Sequence, residues 1–224
     1  GIALNARRIG SDYRTYCLLG DAESAEGSVW EAAEIAATDG LDNLCGITDV
    51  NALGQSTATM WQHDTEQFVR RYRAFGWHAI AIDGHDFNAI LDALAEARAT
   101  KGRPTMIAAR TLKGKGVSFV EGKEGWHGKP FKKGEELDRA LAELERQFVP
   151  APAGVNLPQQ IAKPASRPAD PPPPKPISPP GYKLGEMVAT REAFGTALTK
   201  LGESDARIVA LDAERGIVGA ESGI

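Results

Sequence analysis

Two oxygen-bearing side chains stand at the ends of apolar segments, thirty residues apart. Asp21 follows the segment 16–19 after a single glycine, and Asn51 follows the segment 44–50. Each segment predicts a buried strand, and the carboxyl ends of neighbouring parallel strands meet at one edge of a sheet. A carboxylate, an amide oxygen and the backbone carbonyl of Leu53 are hard oxygen ligands of the kind that Mg²⁺ prefers. These three groups could therefore form part of a magnesium site.

The segment 26–38 predicts a helix after the first strand, with its N-terminus facing the same edge. Free N–H groups and the partial positive charge of a helix N-terminus favour an anion, so metal and helix together would suit a diphosphate. The alternative is that Asp21 is a helix cap and Asn51 an ordinary turn residue. Taken alone, the pair favours this alternative.

The rest of residues 1–149 alternates apolar and amphipathic segments. Further strands are predicted at 79–82 and 105–109, and further helices at 64–75, 88–100 and 134–148. Continuous apolar strands separated by helices are typical of a parallel sheet covered on both faces. We therefore predict an α/β fold with a parallel sheet and helices on both faces.

Prolines divide the chain. Twelve of the 14 prolines lie between Pro150 and Pro180. Such a segment cannot form a central strand or pack a core, which predicts an extended linker over 150–180 between a domain at 1–149 and a second piece at 181–224. Because the first residue is not Met and the end carries no final element, we interpret the sequence as part of a longer polypeptide, N-terminally truncated.

Composition narrows the functional classes. The sequence has 26 Lys and Arg against 30 Asp and Glu, for a net charge of −4, so no basic surplus indicates a nucleic-acid partner. No apolar run approaches the roughly 20 residues that span a bilayer, so no membrane association is expected. Cys17 and Cys45 lie in apolar segments and are predicted to be core residues in a reducing compartment, which indicates a cytoplasmic protein.

Several motifs together resemble one family. The run Gly-Asp-Ala-Glu at 20–23, with Asn51 thirty residues on, resembles the thiamine-diphosphate motif. The wider sequence is similar to transketolase in the order and spacing of five motifs, at 20–56, 74–78 (AFGWH), 83–85 (DGH), 111–116 (TLKGKG) and 124–130 (EGWHGKP). The segments VATREAFG and RIVALD, at 188–195 and 207–212, resemble the opening of the family's second, pyrimidine-binding α/β domain.

The resemblance implies a cofactor site. Asp21, Asn51 and the Leu53 carbonyl would hold Mg²⁺, and the backbone N–H of Ala22 would bind the diphosphate of thiamine diphosphate. The family usually has Gly where this chain has Ala22. Only a backbone donor is needed there, so Ala should serve if its φ angle is negative and should cost stability if φ is positive.

Three more residues are implied to act on cofactor or substrate. Lys113 and His127 match positions that approach the cofactor, and His127 would also reach the substrate as a catalytic residue. A histidine in this polar loop can donate to an anionic intermediate, whereas Lys113 could instead be a solvated loop charge. Arg191 matches an arginine that binds the sugar phosphate.

Three other histidines and one departure from the family pattern complete the set of notable residues. His63, His78 and His85 have no comparable argument, and we predict a structural role for each. Val218 stands about where the family often has a substrate-contacting Ser, and it cannot hydrogen-bond. This departure weakens the expectation that the donor phosphate is recognised there.

The resemblance implies transfer of a two-carbon ketol unit from a ketose phosphate to an aldose phosphate, with the cofactor bound between subunits of a homodimer. The family's activating glutamate would lie beyond Ile224 and its early histidines before Gly1, so we expect these 224 residues alone to be inactive. Another thiamine-diphosphate enzyme, such as a deoxyxylulose-phosphate synthase or a pyruvate dehydrogenase first component, is an alternative. A non-catalytic assembly module with this fold is another.

Overall fold

The structure is a computed structural model. It describes residues 1–149, 172–212 and 216–218, with only the backbone described at 211, 212 and 216–218. The chain forms two compact units, Gly1–Ser166 and Arg167–Ile224.

The first unit contains a parallel four-stranded sheet. Its strands are β1 (Thr15–Gly20), β2 (Leu44–Val50), β3 (His78–Asp83) and β4 (Thr105–Arg110), and their order across the sheet is β1-β2-β4-β3. All three pairings are parallel. The carboxyl ends of the four strands therefore lie along one edge, which is where ligands bind in sheets of this type.

Helices follow the strands as predicted. They are α2 (Gly27–Thr38), α3 (Thr65–Ala74), α4 (Phe87–Ala99) and α5 (Glu135–Glu145), and one further helix, α1 (Ile2–Arg8), precedes β1. Two of them begin at an aspartate whose carboxylate accepts backbone N–H groups: Asp64 caps α3, and Asp86 caps α4. Such caps satisfy donors that a helix cannot satisfy itself.

Side chains of β4 show how the helices cover the sheet. Met106 packs in the main core with Phe68 and Tyr72 of α3, whereas Ile107 packs in a second core with Ala93 of α4. Because successive strand residues point to opposite faces, these cores lie on the two faces of the sheet. The predicted α/β class, with helices on both faces, is confirmed.

The prediction of a buried first strand is wrong. Strand β1 is an edge strand among the described residues, with Tyr16 50% and Leu18 72% exposed. An apolar run does not itself distinguish a central strand from an edge strand. For the same reason Cys17 is exposed and not a core residue, whereas Cys45 is buried, and burial raises the pKa of its thiol to about 11.

The second unit contains α6 (Thr190–Ser204) and an antiparallel pair, β5 (Ala210–Asp212) and β6 (Gly216–Val218). Residues 172–180 are exposed and form neither helix nor strand, and the rest of the predicted linker, at 150–171, lies outside the described residues. The domain boundaries at 149 and 180 stay predictions. Among the helices described, none combines the length and the apolar character needed to cross a bilayer.

Candidate functional site

Asp21 joins the end of β1 to the loop that follows β2. Its carboxylate is buried, at 4% exposure. One oxygen, Oδ2, accepts hydrogen bonds from the backbone N–H of Ala52 at 2.7 Å and from the Thr59 hydroxyl at 2.9 Å. The other, Oδ1, accepts from the N–H of Ala22 at 2.9 Å. The two strand ends therefore meet as the spacing predicted.

Asn51 fixes the start of the same loop. Its amide nitrogen donates to the Asp49 carboxylate at 3.0 Å, and its amide oxygen accepts from the N–H of Leu53 at 3.1 Å. The residue between them, Ala52, has a φ of +68°. A non-glycine residue in this region costs on the order of 1 kcal/mol, and such strain persists where surrounding bonds over-determine the backbone. The bond from Ala52 to Asp21 is one of those that hold it.

His127 reaches this loop from far along the chain. Its Nδ1 lies 3.1 Å from the carbonyl oxygen of Leu53, and a carbonyl can only accept, so Nδ1 carries the hydrogen. Its Nε2 has no hydrogen-bond partner among the described side chains and backbone. The nearby Glu124 carboxylate accepts from the N–H of Ala58 at 3.3 Å. The loop after β2 is thus bonded twice to the segment 124–127.

Lys113 lies on the neighbouring loop, which follows β4. Thr111 ties that loop to β2, because its hydroxyl donates to the Asp49 carboxylate and its N–H donates to the carbonyl of Val50 at 3.1 Å. Lys113 is half-buried, and its carbonyl accepts from the N–H of Gly122 at 2.8 Å. In the described part of the chain its ammonium group forms no ion pair, so the charge is available to an anion.

The chemistry of the donor set fits a divalent cation. Asp21, Asn51 and Leu53 bring a carboxylate, an amide oxygen and a carbonyl to one loop. The Asp21 carboxylate is buried without a cationic side chain as partner among the described residues, and a bound cation would offset the cost of burying that charge. No cluster of three His, Cys, Asp or Glu side chains occurs in the ranges described. The predicted set contains only one such side chain, so Mg²⁺ stays a prediction.

Ala22 and the helix after it are arranged slightly differently from the prediction. Ala22 has a φ of −66°, so it replaces glycine without strain. Its N–H donates to Asp21, and a short 3₁₀ helix, Glu23–Ala25, precedes α2, whose N-cap is Glu26. A cavity of about 250 Å³ opens beside these groups; it is lined by Asp21, Ala22, Ala25, Phe68 and residues 54–61.

Three residues of this network were not predicted. Asp49 receives bonds from Asn51 and Thr111, and Thr59 donates to Asp21. Asp49 and Asn51 are two positions apart, and side chains two apart along a strand share a face. That periodicity could have identified Asp49. Thr59 and Thr111 depend on loop conformation, for which the sequence carries no such signal.

The two remaining predicted positions lie in the second unit. Arg191 is exposed on the first turn of α6, and its role as a phosphate-binding residue stays a prediction. Val218 lies in β6, where its side chain is outside the described residues. The network at the sheet edge therefore joins Asp21, Ala22, Asn51, Leu53 and His127, with Lys113 on the adjoining loop.

Comparison with known proteins identifies the family of this chain. The family model described as the thiamine diphosphate binding domain of transketolase matches residues 6–162. Human transketolase is 44% identical over 204 residues, and the mouse transketolase-like protein 2 is 42% identical over 209 residues. Each alignment covers 91% of this chain and 32% of the relative, so the chain spans about a third of the length of these relatives.

Solved structures agree with the sequence comparison. A transketolase mutant from Pichia stipitis in complex with fructose 6-phosphate matches with a TM-score of 0.56 and 30% identity, over 64% of this chain and 22% of that one. Another from the same organism, in complex with xylulose 5-phosphate, matches with a TM-score of 0.55 and 29% identity over the same shares. The resemblance found in the motifs is confirmed, and the chain belongs to the transketolase family.

Proposed function

We propose that this chain is the part of a transketolase that binds the diphosphate of thiamine diphosphate through Mg²⁺, followed by the start of the pyrimidine-binding domain. The whole enzyme would transfer a two-carbon ketol unit from a ketose phosphate to an aldose phosphate. The observation that carries this proposal is the network at the carboxyl edge of the sheet. Hydrogen bonds join Asn51 to Leu53 and Leu53 to His127, and Asp21 bonds to the N–H of Ala52, which lies between Asn51 and Leu53.

Each proposed site residue has a role that follows from its side-chain or backbone chemistry. Asp21, Asn51 and the Leu53 carbonyl would hold Mg²⁺, whose remaining positions suit water and phosphate oxygens. The ammonium of Lys113 would offset part of the diphosphate charge. The cofactor supplies the carbon nucleophile when bound, and the protein orients it and stabilises charge.

His127 is suited to a substrate oxygen. Because Nδ1 is held by the Leu53 carbonyl, the ring orientation is fixed and Nε2 is left to face a ligand. In its protonated form Nε2 would donate to an oxygen on which negative charge develops. Its position next to a metal ligand would place substrate close to the cofactor.

Sugar phosphates are the proposed substrates. The two Pichia stipitis transketolase structures contain fructose 6-phosphate and xylulose 5-phosphate, both ketose phosphates. Arg191 would bind the phosphate of such a sugar. We further propose a homodimer in the cytoplasm, with each cofactor between this domain and the pyrimidine-binding domain of the other subunit.

Two alternatives remain. Another thiamine-diphosphate enzyme, such as a deoxyxylulose-phosphate synthase or a pyruvate dehydrogenase first component, is disfavoured by the runs LGQS at 53–56 and WHGKP at 126–130, which resemble transketolase. A non-catalytic module with this fold is the second alternative, and transketolase-like proteins do occur among the relatives. A substrate panel on the longer polypeptide, comparing xylulose or fructose phosphate plus an aldose with pyruvate, separates the enzymes.

Calorimetry with thiamine diphosphate and Mg²⁺ tests the cofactor site in that longer polypeptide. Asp21→Ala should abolish the binding heat, because it removes the one charged ligand. Asp42→Ala is the matched control, because the Asp42 carboxylate also accepts a backbone N–H from another loop, that of Gly102 at 3.1 Å, but at the amino edge of the sheet; it should leave the heat unchanged. Absence of heat in the unmodified protein would favour the non-catalytic module. The 224 residues alone should bind weakly and show no ketol transfer.

A further inference from the structure

Two histidines outside the proposed site bind the loop that carries Lys113. The Nε2 atom of His63 lies 3.0 Å from the carbonyl oxygen of Thr111. The Nε2 atom of His85 accepts a hydrogen bond of 2.8 Å from the N–H of Leu112. Consecutive backbone groups, just before Lys113, are therefore each bonded to an imidazole.

The backbone partner of each imidazole determines which ring nitrogen carries the hydrogen. A carbonyl only accepts, so His63 carries its hydrogen on Nε2. A backbone N–H only donates, so His85 presents a lone pair on Nε2 and is neutral, with its hydrogen on Nδ1. Protonation of His85 would place a hydrogen on Nε2 and remove this acceptor, whereas protonation of His63 would leave its donor in place.

The turn between β3 and α4 holds His85 in position. The backbone N–H of His85 donates to the Asp83 carboxylate at 2.9 Å, and Asp86 caps α4 with bonds to Asn88 and Ala89. The N–H of Gly84 donates to the carbonyl of Arg110 at 2.8 Å. The imidazole therefore projects from a turn that is itself fixed at both ends.

Charged groups surround His85 on both sides. Asp83 and Asp86 belong to its own turn. From the facing loop, Glu121 interacts electrostatically with His85 and pairs with Lys115 at 3.6 Å. A protonated His85 would be attracted to Glu121 and would no longer accept from Leu112. The neutral and charged forms of this side chain thus favour different partners.

We propose that His63 and His85 are positioning residues for the loop that carries Lys113, and that His85 performs this role only as a neutral imidazole. The link from this loop to the cofactor rests on the proposed function. The bonds to the loop do not, because they involve only residues of this chain. The loop should be ordered at slightly alkaline pH and should loosen as His85 gains a proton, since histidine is the side chain whose charge normally changes between pH 5 and 8.

Hydrogen exchange at the Leu112 amide of the 224-residue chain tests the proposal directly. The protection factor is taken relative to the intrinsic exchange rate at each pH, at about pH 8 and about pH 5.5. In the unmodified chain it should fall about tenfold or more between these values. In His85→Ala it should be low at both, and in His85→Gln, whose side-chain carbonyl accepts at either pH, it should not depend on pH.

His78 provides the matched control, because it bonds to Glu96 on α4 at 2.6 Å and not to the loop. His78→Gln should behave like the unmodified chain. Wild-type protection at Leu112 in His85→Ala, or protection in the unmodified chain that is the same at both pH values, would overturn the proposal.

Titration with thiamine diphosphate distinguishes failure of the proposed cofactor site from failure of the proposed role of the histidines. In the longer polypeptide His85→Ala should weaken binding about tenfold at pH 8, and His85→Gln should restore it. If the Leu112 amide behaves as expected and no variant, nor the unmodified protein, binds the cofactor, the proposed function fails and the role of the histidines in the loop stands. If the cofactor binds equally well to His85→Ala while the Leu112 amide loses its protection, His85 orders the loop without affecting cofactor binding, and the link from this loop to the cofactor is wrong.

Discussion

The loops that follow β2 and β4 lie side by side and are held in different ways. The first begins at Asn51, and its main support is the buried carboxylate of Asp21. The second begins at Thr111 and is supported by the exposed His85 and the partly exposed Glu121. The chief support of the first loop is therefore shielded from water, whereas His85 and Glu121, which support the second, are open to solvent.

The difference between the two loops corresponds to different requirements of a metal ligand and of a cationic side chain. Ligands for a metal must be pre-arranged, because reorganisation on binding costs affinity. Here the bond from Asp21 holds Ala52 at a positive φ, between two of the proposed ligands. A cation such as Lys113 acts at longer range, so its loop needs less exact positioning than a metal ligand does. The proposed metal ligands thus lie on the loop with the buried support, and the proposed cation lies on the loop with the exposed supports.

The largest expected effect is that of Asp21→Ala on the stability of the first unit. The change leaves the buried N–H of Ala52 and the hydroxyl of Thr59 without their acceptor, and the free energy of unfolding should fall by about 3 kcal/mol. Urea unfolding followed by tryptophan fluorescence measures it. All four tryptophans lie within residues 30–126, so the signal reports on this unit.

Asp86→Ala is the control for this loss. It removes an exposed carboxylate that also binds two backbone N–H groups, at the start of α4. Loss of a helix cap of this kind costs about 1 kcal/mol. If Asp21→Ala costs no more than Asp86→Ala, burial does not distinguish the supports of the first loop, and the comparison between the loops is wrong.

A smaller effect is expected at Gly84, where the turn before α4 contacts the second loop. A Cβ atom at this position would lie 2.5 Å from the Thr111 methyl group and 3.1 Å from the carbonyl oxygen of Arg110. Gly84→Ala should therefore push Thr111 away and lower the free energy of unfolding by about 2 kcal/mol, the cost of overpacking.

The matched change is Gly27→Ala at the start of α2, where a Cβ would meet no atom within 4 Å. That variant should be unchanged or up to about 1 kcal/mol more stable. Hydrogen exchange on both variants shows which of the two loops loses protection. Loss of protection at Leu112 with little change at Ala52 would support separate control of the two loops. Equal loss at both would show that they move as one.

The sequence predicted the first loop better than the second, for a physical reason. Strand spacing brings Asp21 and Asn51 to one edge, and the resemblance to transketolase then implied their role as ligands. His63 and His85 were predicted to be merely structural, because their partners are backbone atoms 48 and 27 residues away. Backbone groups are the same at every position, so no residue pattern records such a bond.

The edge position of β1 was missed for a related reason. The segment 16–19 is apolar, and an apolar run predicts burial. Whether a strand is buried depends on what pairs with it and covers it, and in the described residues β1 pairs only with β2. At Ala22 the sequence left both signs of φ open, and the structure has the negative one, at which alanine replaces glycine without strain.

The smallest expected effect is local and occurs in acid. Glu121 accepts from the N–H of Gly116 at 2.9 Å, and this bond, together with nearby Lys115, lowers the pKa of its carboxyl group. A group with a lowered pKa in the folded state contributes stability above its unfolded pKa, and that contribution is lost as pH falls through the folded value. Protection of the Gly116 amide should therefore decline below about pH 4.5.

Glu143 provides the control that assigns the loss of protection at Gly116 to Glu121. Its carboxylate accepts from the N–H of Ser118 at 2.6 Å, and that bond is the main reason its pKa is also lowered. Glu121→Gln should make protection at Gly116 independent of pH in acid and leave the decline at Ser118 intact, whereas Glu143→Gln should do the reverse. Loss of both declines in either single variant would mean that the second loop has one shared support. It would then resemble the first loop, whose order depends chiefly on a single carboxylate.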